Sequence, residues 1–139
     1  IMSKIEVDKV IPQSGTNLQI GEAGDTVNLS TATVNLPSGV GGTAWQAVKT
    51  SNFNAVAGEG YFVNTAAGAV TVTLPTSASI GDEVSVIDYG ATADSQNIII
   101  GRNGHKIQGA ASDMTVATER AAFTLVYVDA TQGWLLTDK

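Results

Sequence analysis

One stretch, Tyr61 to Tyr89, constrains the fold of this 139-residue chain more than any other. Val70, Val72 and Leu74 alternate with threonines, and this period of two buries one face of a β-strand and leaves the other in water. The stretch is predicted to hold three strands: Tyr61 to Thr65, Val70 to Leu74 and Val84 to Tyr89. Ala66 to Gly68 is predicted to be a short hairpin link. The chain is therefore expected to be an all-β protein.

The sequence after Tyr89 continues in short apolar runs separated by turns. Further strands are predicted over Asn97 to Ile100, Lys106 to Gln108, Met114 to Ala117, Ala122 to Asp129 and Trp134 to Leu136. Asn103-Gly104 is a strong hairpin signal, because both residues tolerate the positive φ of a type I′ turn. Trp45 to Phe53 fits neither period and is predicted as an edge strand or one short helical turn. The spacing favours an antiparallel β-sandwich or a jelly-roll-like barrel.

Charge and composition exclude several classes of partner. Thirteen acidic residues against seven basic ones give a net charge of −6, which opposes binding to nucleic acid and to anionic membranes. The chain has no run of apolar residues long enough for a membrane span, so no membrane insertion is expected. It has no cysteine, which excludes disulfides and thiolate metal sites.

Residues 1–42 are predicted to form an N-terminal β-repeat segment, and residues 43–139 a C-terminal head domain. Three apolar-x-apolar units recur in the segment: Leu18-x-Ile20, Val27-x-Leu29 and Val34-x-Leu36. The joint is placed at Pro37 to Gly42, where three glycines and a proline occur in six residues. About forty residues without disulfides rarely fold alone. We therefore expect either three copies intertwined in a homotrimer or, as the alternative, a tether docked on the head.

Two blocks of sequence carry a recognisable pattern. The first contains Lys9-Val10-Ile11-Pro12, Ser14-Gly15-Thr16, Ile20-Gly21 and Gly24-Asp25-Thr26. The second contains Gly60-Tyr61-Phe62-Val63-Asn64-Thr65, Val72-Thr73-Leu74-Pro75, Gly81-Asp82, Ile100-Gly101-Arg102-Asn103-Gly104, Ile107-Gln108-Gly109, Leu125-Val126-Tyr127-Val128-Asp129 and Gly133-Trp134. Together they resemble tail-fibre-like proteins of marine bacteriophages, with Ala23 standing where a serine is usual and Val10 where an isoleucine is.

The resemblance implies a trimeric virion protein, located in a tail or surface appendage and extracellular after release. Its implied partners are its own copies, other virion proteins and a bacterial surface glycan or protein, which it binds without turnover. Two alternatives remain open. One is a purely structural virion component, such as a whisker, a capsid decoration or a filament subunit. The other is a secreted carbohydrate-binding module with no connection to phages.

Two polar loops are the candidate receptor contacts, because loops on a rigid scaffold carry binding functions. They run from Gly90 to Gln96 and from Gly109 to Asp113. Their candidate contact residues are Ala91, Thr92, Asp94, Gln96, Ala110, Ser112 and Asp113. The aromatic residues Trp45, Tyr61, Tyr89, Tyr127 and Trp134 could stack on sugars, but their positions favour core or subunit-interface packing.

No catalytic, cofactor or metal site is predicted. A glycosidase needs two carboxylates, and the acids available are Asp82, Glu83, Asp88, Asp94, Asp113, Glu119 and Asp129. Asp82, Asp94 and Asp113 lie in turns and polar loops, where such side chains cap backbone amides. His105 is the single histidine and is predicted to be an exposed loop residue and not a ligand. Nucleophilic catalysis has no visible machinery, so the protein is expected not to be an enzyme.

Overall fold

The structure is a computed structural model that describes residues 9–12, 14–27 and 42–137. The chain divides into two compact units, Ile1–Asn35 and Leu36–Lys139. The predicted unit Val34-x-Leu36, residue Leu29 and the predicted joint before Gly42 lie outside the described residues. None of the described residues belongs to a helix long and apolar enough to cross a membrane.

The described part of the N-terminal unit is irregular, with bends and one turn. The backbone N–H of Glu22 donates to the Asp25 carboxylate at 2.8 Å, and the N–H of Asp25 donates to the Glu22 carbonyl at 3.1 Å. Gly21 and Gly24 adopt φ values of 81° and 98° beside this turn. The strand predicted at Leu18-x-Ile20 is absent from the described residues. A strand needs a partner, and a single two-stranded pair is already marginal in water.

The described part of the C-terminal unit contains nine strands and no helix. In chain order they are β1 (Ala44–Trp45), β2 (Phe53–Asn54), β3 (Glu59–Val63), β4 (Val70–Thr73), β5 (Glu83–Asp88), β6 (Ile98–Gly101), β7 (Met114–Val116), β8 (Ala122–Asp129) and β9 (Gly133–Leu136). The all-β prediction is confirmed. The region from Trp45 to Phe53 contributes the two short strands β1 and β2 at its ends.

The chain passes back and forth between two sheets. Sheet A has the order β1-β3-β5-β8-β9, and sheet B has the order β2-β4-β6-β7. The first three strands of each sheet are parallel, so that Tyr61 lies opposite Val86 and Val72 lies opposite Ile100. β7, β8 and β9 join by antiparallel pairing. The first six strands therefore form successive turns of the chain, stacked on one another. Each turn contributes one strand to sheet A and the next strand to sheet B.

This topology corrects three predictions. The sandwich is mixed and not antiparallel, since four strand pairs are parallel. Ala66 to Gly68 is not a hairpin, because β3 and β4 belong to different sheets. The Asn103-Gly104 turn is confirmed by φ values of 47° and 93°. However, Lys106 to Gln108 forms no strand after it, and Ile107 makes only isolated bridges, to Ala110 and Trp134.

The core lies between the two sheets. Alternation places the inward residues as predicted: Val70, Val72 and Leu74 are at most 1% exposed, while Thr71 and Thr73 face outward. The largest fully buried side chains are Trp134, Tyr61, Leu74, Ile98, Ile100, Leu125, Val63, Val70, Val72, Val84, Val86 and Thr65. Burial of each large apolar side chain contributes about 1.5–3 kcal/mol. The head is therefore a rigid support for its loops.

One hydroxyl in this core has two polar partners. The Tyr61 hydroxyl donates to the Glu59 carboxylate and accepts a hydrogen bond from the Val56 N–H at 2.8 Å. Burial, followed by the hydrogen bond to Glu59, raises the pKa of the Tyr61 hydroxyl well above its usual range. The Tyr61 ring packs on Phe53 at 4.6 Å between centroids. This residue thus links β3 to the loop that precedes it.

We expect Tyr61→Phe to lower the free energy of unfolding by about 1–3 kcal/mol, because the Val56 N–H loses its acceptor. Chemical denaturation of the full chain measures the loss. Tyr89→Phe is the matched control, since Tyr89 is 50% exposed and its hydroxyl is not part of the core. Equal stability of the two variants would contradict a structural role for the Tyr61 hydroxyl.

The strand directions define two ends of the head. The chain enters at Gly42 and Thr43 beside the start of β1, where the Ala44 N–H donates to the Gly58 carbonyl at 2.9 Å. This end, the junction end, carries the loops at 55–58, 74–82, 102–113 and 130–132. The opposite end, the far end, carries the loops at 46–52, 64–69, 89–97 and 117–121.

Candidate functional site

The two predicted receptor loops lie at opposite ends of the head. Gly90 to Gln96 precedes β6 at the far end, and Gly109 to Asp113 follows β6 at the junction end. β6 alone separates them by roughly 13 Å, at about 3.3 Å for each of its four residues. The structure therefore does not bring the two sets of candidate residues together in one patch.

The far-end loop is held in shape by its own threonine. The Thr92 carbonyl accepts hydrogen bonds from the backbone N–H groups of Ser95 and Gln96, at 3.2 and 2.8 Å. The Thr92 and Thr65 hydroxyls bond to each other at 2.8 Å. Ala91 adopts a φ of 53°, which turns the chain sharply at that point. Thr92 and Ala91 therefore shape the loop, whereas Asp94 and Gln96 are exposed at its surface.

A buried carboxylate fixes this loop to its neighbour. Asp88 is completely buried, and its Oδ2 accepts hydrogen bonds from the N–H groups of Ala93 at 3.3 Å and Arg120 at 3.0 Å. The Arg120 guanidinium donates to the Tyr89 carbonyl at 2.6 Å, on the same pair of loops. Asp88 Oδ1 has no hydrogen-bond partner among the described residues. Asp88 and Arg120 thus position the loops at 89–97 and 117–121 against each other.

The resulting far-end surface consists of Tyr89, Asp94, Gln96 and Arg120. All four are exposed, and the Tyr89 ring is 50% exposed. Together they offer an aromatic ring, an amide and charges of both signs, which suits a polar ligand such as a glycan or peptide. The sequence predicted Asp94 and Gln96 but not Arg120. Arg120 lies beside this loop because its N–H bonds to Asp88, which is 32 residues away along the chain.

We expect Asp88→Ala to cost about 1–3 kcal/mol of folding stability and to loosen the far-end loop, because the Ala93 and Arg120 N–H groups lose their acceptor. Hydrogen exchange at these two amides should accelerate. Asp94→Ala in the same loop is the control, since Asp94 is exposed. Unchanged exchange in the Asp88 variant would show that the carboxylate does not position the loop.

The junction-end loop is tied down at several points. The Asp113 carboxylate accepts from the Arg102 N–H at 2.9 Å, and the backbones of Ala110 and Ile107 bond to each other twice at 3.0 Å. Ser112 is exposed. A cleft of about 570 Å³ opens at the same end of the head. Its lining includes the polar residues Asn54, Thr76, Ser77, Asp82 and Asn103.

His105 has a structural contact at this end. Its Nε2 donates to the Thr76 carbonyl at 2.7 Å, and its ring meets Tyr127 edge-on with centroids 5.0 Å apart. It lies in a loop, as predicted, but it is partly buried and not exposed. Within the described ranges, no three His, Asp or Glu residues are grouped as a metal site requires. The side chain connects the Asn103-Gly104 turn to the loop at 74–82.

Two of the acidic side chains cap turns. The Asp82 carboxylate accepts from the Ser79 N–H at 2.9 Å, which confirms the predicted turn-capping role. Asp129 accepts from the N–H groups of Thr131 and Gln132, at 2.9 and 2.8 Å. These hydrogen bonds give Asp82 and Asp129 a structural role as turn-capping residues.

The aromatic residues divide into a buried and an exposed group. Tyr61, Tyr127 and Trp134 are 1%, 7% and 0% exposed and belong to the core. The exposed group contains Trp45, which is 47% exposed, and Tyr89, which is 50% exposed. The Trp45 ring stacks on Phe62 at 4.9 Å and covers Gly60, where a Cβ would lie 2.6 Å from the indole. A glycine inside a strand pattern is the sequence signal for such a close approach.

Comparisons with known proteins assign no family to this chain. No protein-family model matches it, and a search of curated proteins found no match. The likeness to phage tail-fibre-like proteins stays a prediction from the residues quoted above.

Proposed function

We propose that the protein is a non-enzymatic, homotrimeric component of a phage tail or surface appendage that attaches the virion to a bacterial surface glycan or protein. The N-terminal segment holds the three chains together. The head presents the far-end surface to the receptor. Its partners are its own copies, other virion proteins and the receptor, and it needs no cofactor.

The observation that carries this proposal is the exposure of the apolar residues in the N-terminal segment. In the single chain the exposed fractions are Val10 59%, Ile11 63%, Leu18 45%, Ile20 66% and Val27 49%. Apolar side chains repeated along a segment of this length favour burial against another chain.

The choice of the far-end surface follows from the connectivity. The described chain enters the head at Gly42 and Thr43, beside the start of β1, and the far end lies at the opposite ends of the strands. The loops at the far end are held in position by hydrogen bonds to the Asp88 carboxylate and by the Thr65–Thr92 hydrogen bond. A preorganised loop loses little conformational entropy on binding, which favours affinity.

Binding of the fluorescently labelled full chain to permissive bacteria tests the proposal. We expect Tyr89→Ala to weaken binding about tenfold or more, which corresponds to about 1.4 kcal/mol. Ser112→Ala, an exposed substitution at the junction end, should leave binding unchanged. Equal loss in both variants would contradict the choice of the far end. Absence of binding by the wild-type trimer across permissive hosts would contradict receptor attachment and favour the purely structural role.

A further inference from the structure

The outward faces of the two sheets differ in chemistry. Outward positions on sheet B carry mainly short polar side chains, namely Asn54, Thr71, Thr73 and Thr115, with Ile99 among them. Outward positions on sheet A carry Trp45, Phe62, Ile87, Ala122, Val126 and Leu135, together with Ser85 and Thr124. The charged residue Glu83 lies at the start of β5, at the rim of this face. Sheet A therefore presents a predominantly apolar outer face across five strands.

Such a face is typical of a protein–protein contact. A solvent-facing sheet normally alternates apolar-in with polar-out, as sheet B does. On sheet A, Ile87 is flanked by Phe62 and Ala122. On sheet B, Ile99 is flanked by Thr71 and Thr115. On sheet A, the hydrogen-bonded pair Ser85 and Thr124 separates the row of Ile87 from the row of Val126. A mainly apolar outer face on one sheet and not on the other marks the apolar one as an interaction surface.

Connectivity and charge favour another copy of this chain as the occupant. The face begins with Trp45 on β1, directly after the point where the chain enters from the N-terminal segment. Chains joined through that segment hold their heads at a high local concentration, which favours even a weak contact between heads. Each chain has a net charge of −6, so two copies repel over acidic surfaces. A face whose outward positions are nearly free of charge is one where copies can meet.

We propose that the outer face of sheet A is the contact between heads in the homotrimer, with Trp45, Phe62, Ile87, Val126 and Leu135 buried between copies. This inference rests on the proposed trimer. Three heads that turn sheet A towards a common axis bury this face and leave the threonine-rich face of sheet B in solvent. Packing of the heads in turn directs their loops into one combined surface.

A matched pair of substitutions tests the contact. Ile87→Glu places a carboxylate on the outer face of sheet A, and Ile99→Glu makes the same change on the outer face of sheet B. Both isoleucines lie on central strands and are partly buried in the single chain. The readout is acrylamide quenching of tryptophan fluorescence, because Trp45 is 47% exposed in the single chain and Trp134 is completely buried. A Trp45→Phe variant identifies the contribution of Trp45.

We expect weak quenching of Trp45 in the wild-type trimer, a several-fold increase in Ile87→Glu and no change in Ile99→Glu. Light scattering on the same samples measures the mass. A wild-type trimer whose Trp45 is already quenched as freely as in Ile87→Glu would overturn the head contact and leave the proposed function intact. A monomeric wild type would overturn both.

A second measurement is independent of how well Ile87→Glu folds. The chain lacks cysteine, so one introduced cysteine is a unique labelling site. Ala122→Cys lies opposite Ile87 on sheet A, and Thr115→Cys lies opposite Ile99 on sheet B, both exposed. With spin labels attached, dipolar broadening between chains is expected for Ala122→Cys and not for Thr115→Cys. Equal broadening at both sites, or none at Ala122→Cys in a trimer, would overturn the proposal.

Discussion

Ile20→Asp should dissociate the protein into single chains. Ile20 is 66% exposed in the isolated chain, so the substitution has little to disrupt there. In a trimer whose N-terminal segments pack together, three carboxylates would enter one apolar contact. An unpaired buried charge costs several kcal/mol, which is enough to dissociate a contact formed by short segments. Sedimentation equilibrium of the variant against the wild type measures the effect.

Ile80→Asp is the control for this experiment. Ile80 is 80% exposed and lies in the loop at 74–82 of the head. The chemical change is identical, and the account predicts that the assembled mass is unaffected. If both variants keep the wild-type mass, Ile20 is not part of a subunit contact. If both dissociate, the contact is not specific to the N-terminal segment.

Gly133→Ala should produce the largest loss of stability of any single substitution considered for the head. Gly133 adopts a φ of 74°, and a Cβ there would lie 1.9 Å from the Lys106 carbonyl oxygen. Backbone strain costs about 1–3 kcal/mol and overpacking about 1–3 kcal/mol, so a loss of about 3 kcal/mol or more is expected. Denaturant unfolding, followed by circular dichroism, measures it.

Gly104→Ala separates the effect of backbone strain from the effect of overpacking. Gly104 has a similarly positive φ of 93°, but a Cβ would meet no atom within 4 Å. This variant should lose only the stability that backbone strain costs at a positive φ, about 1–2 kcal/mol. A Gly133→Ala variant no less stable than Gly104→Ala would contradict the close approach of the Lys106 and Trp134 backbones, which also bond at 2.9 Å.

The strands and their buried faces could be predicted from the sequence, but their partners could not. Period-two alternation predicted β8 with its observed bounds, Ala122–Asp129, and in the structure Leu125 and Tyr127 lie on its buried face. Alternation is a property of one strand and carries no information about its neighbour. The link at Ala66 to Gly68 was therefore assigned to a hairpin, although it joins two sheets. The parallel pairing of β3 with β5 depends on residues about 25 positions apart in sequence, as with Glu59 and Val84.

The candidate site could be predicted only in part, because its geometry also depends on contacts between residues that are distant in sequence. Local composition was sufficient to select Asp94 and Gln96 as exposed loop residues. It could not show that the loop of Ser112 lies at the other end of β6, because a return strand was predicted over Lys106 to Gln108 and none forms there. Nor could it place Arg120 on the backbone of Tyr89, a contact across 31 residues. The outer face of sheet A was likewise hidden, since it combines residues from five strands.

The mass of the wild-type chain in solution tests the central claim most directly. Apolar side chains exposed on the N-terminal segment of a single chain should be covered by copies of that chain. Sedimentation equilibrium should therefore give three times the chain mass of 14.2 kDa, over a range of concentrations. A mass of 14.2 kDa under the same conditions would contradict the account.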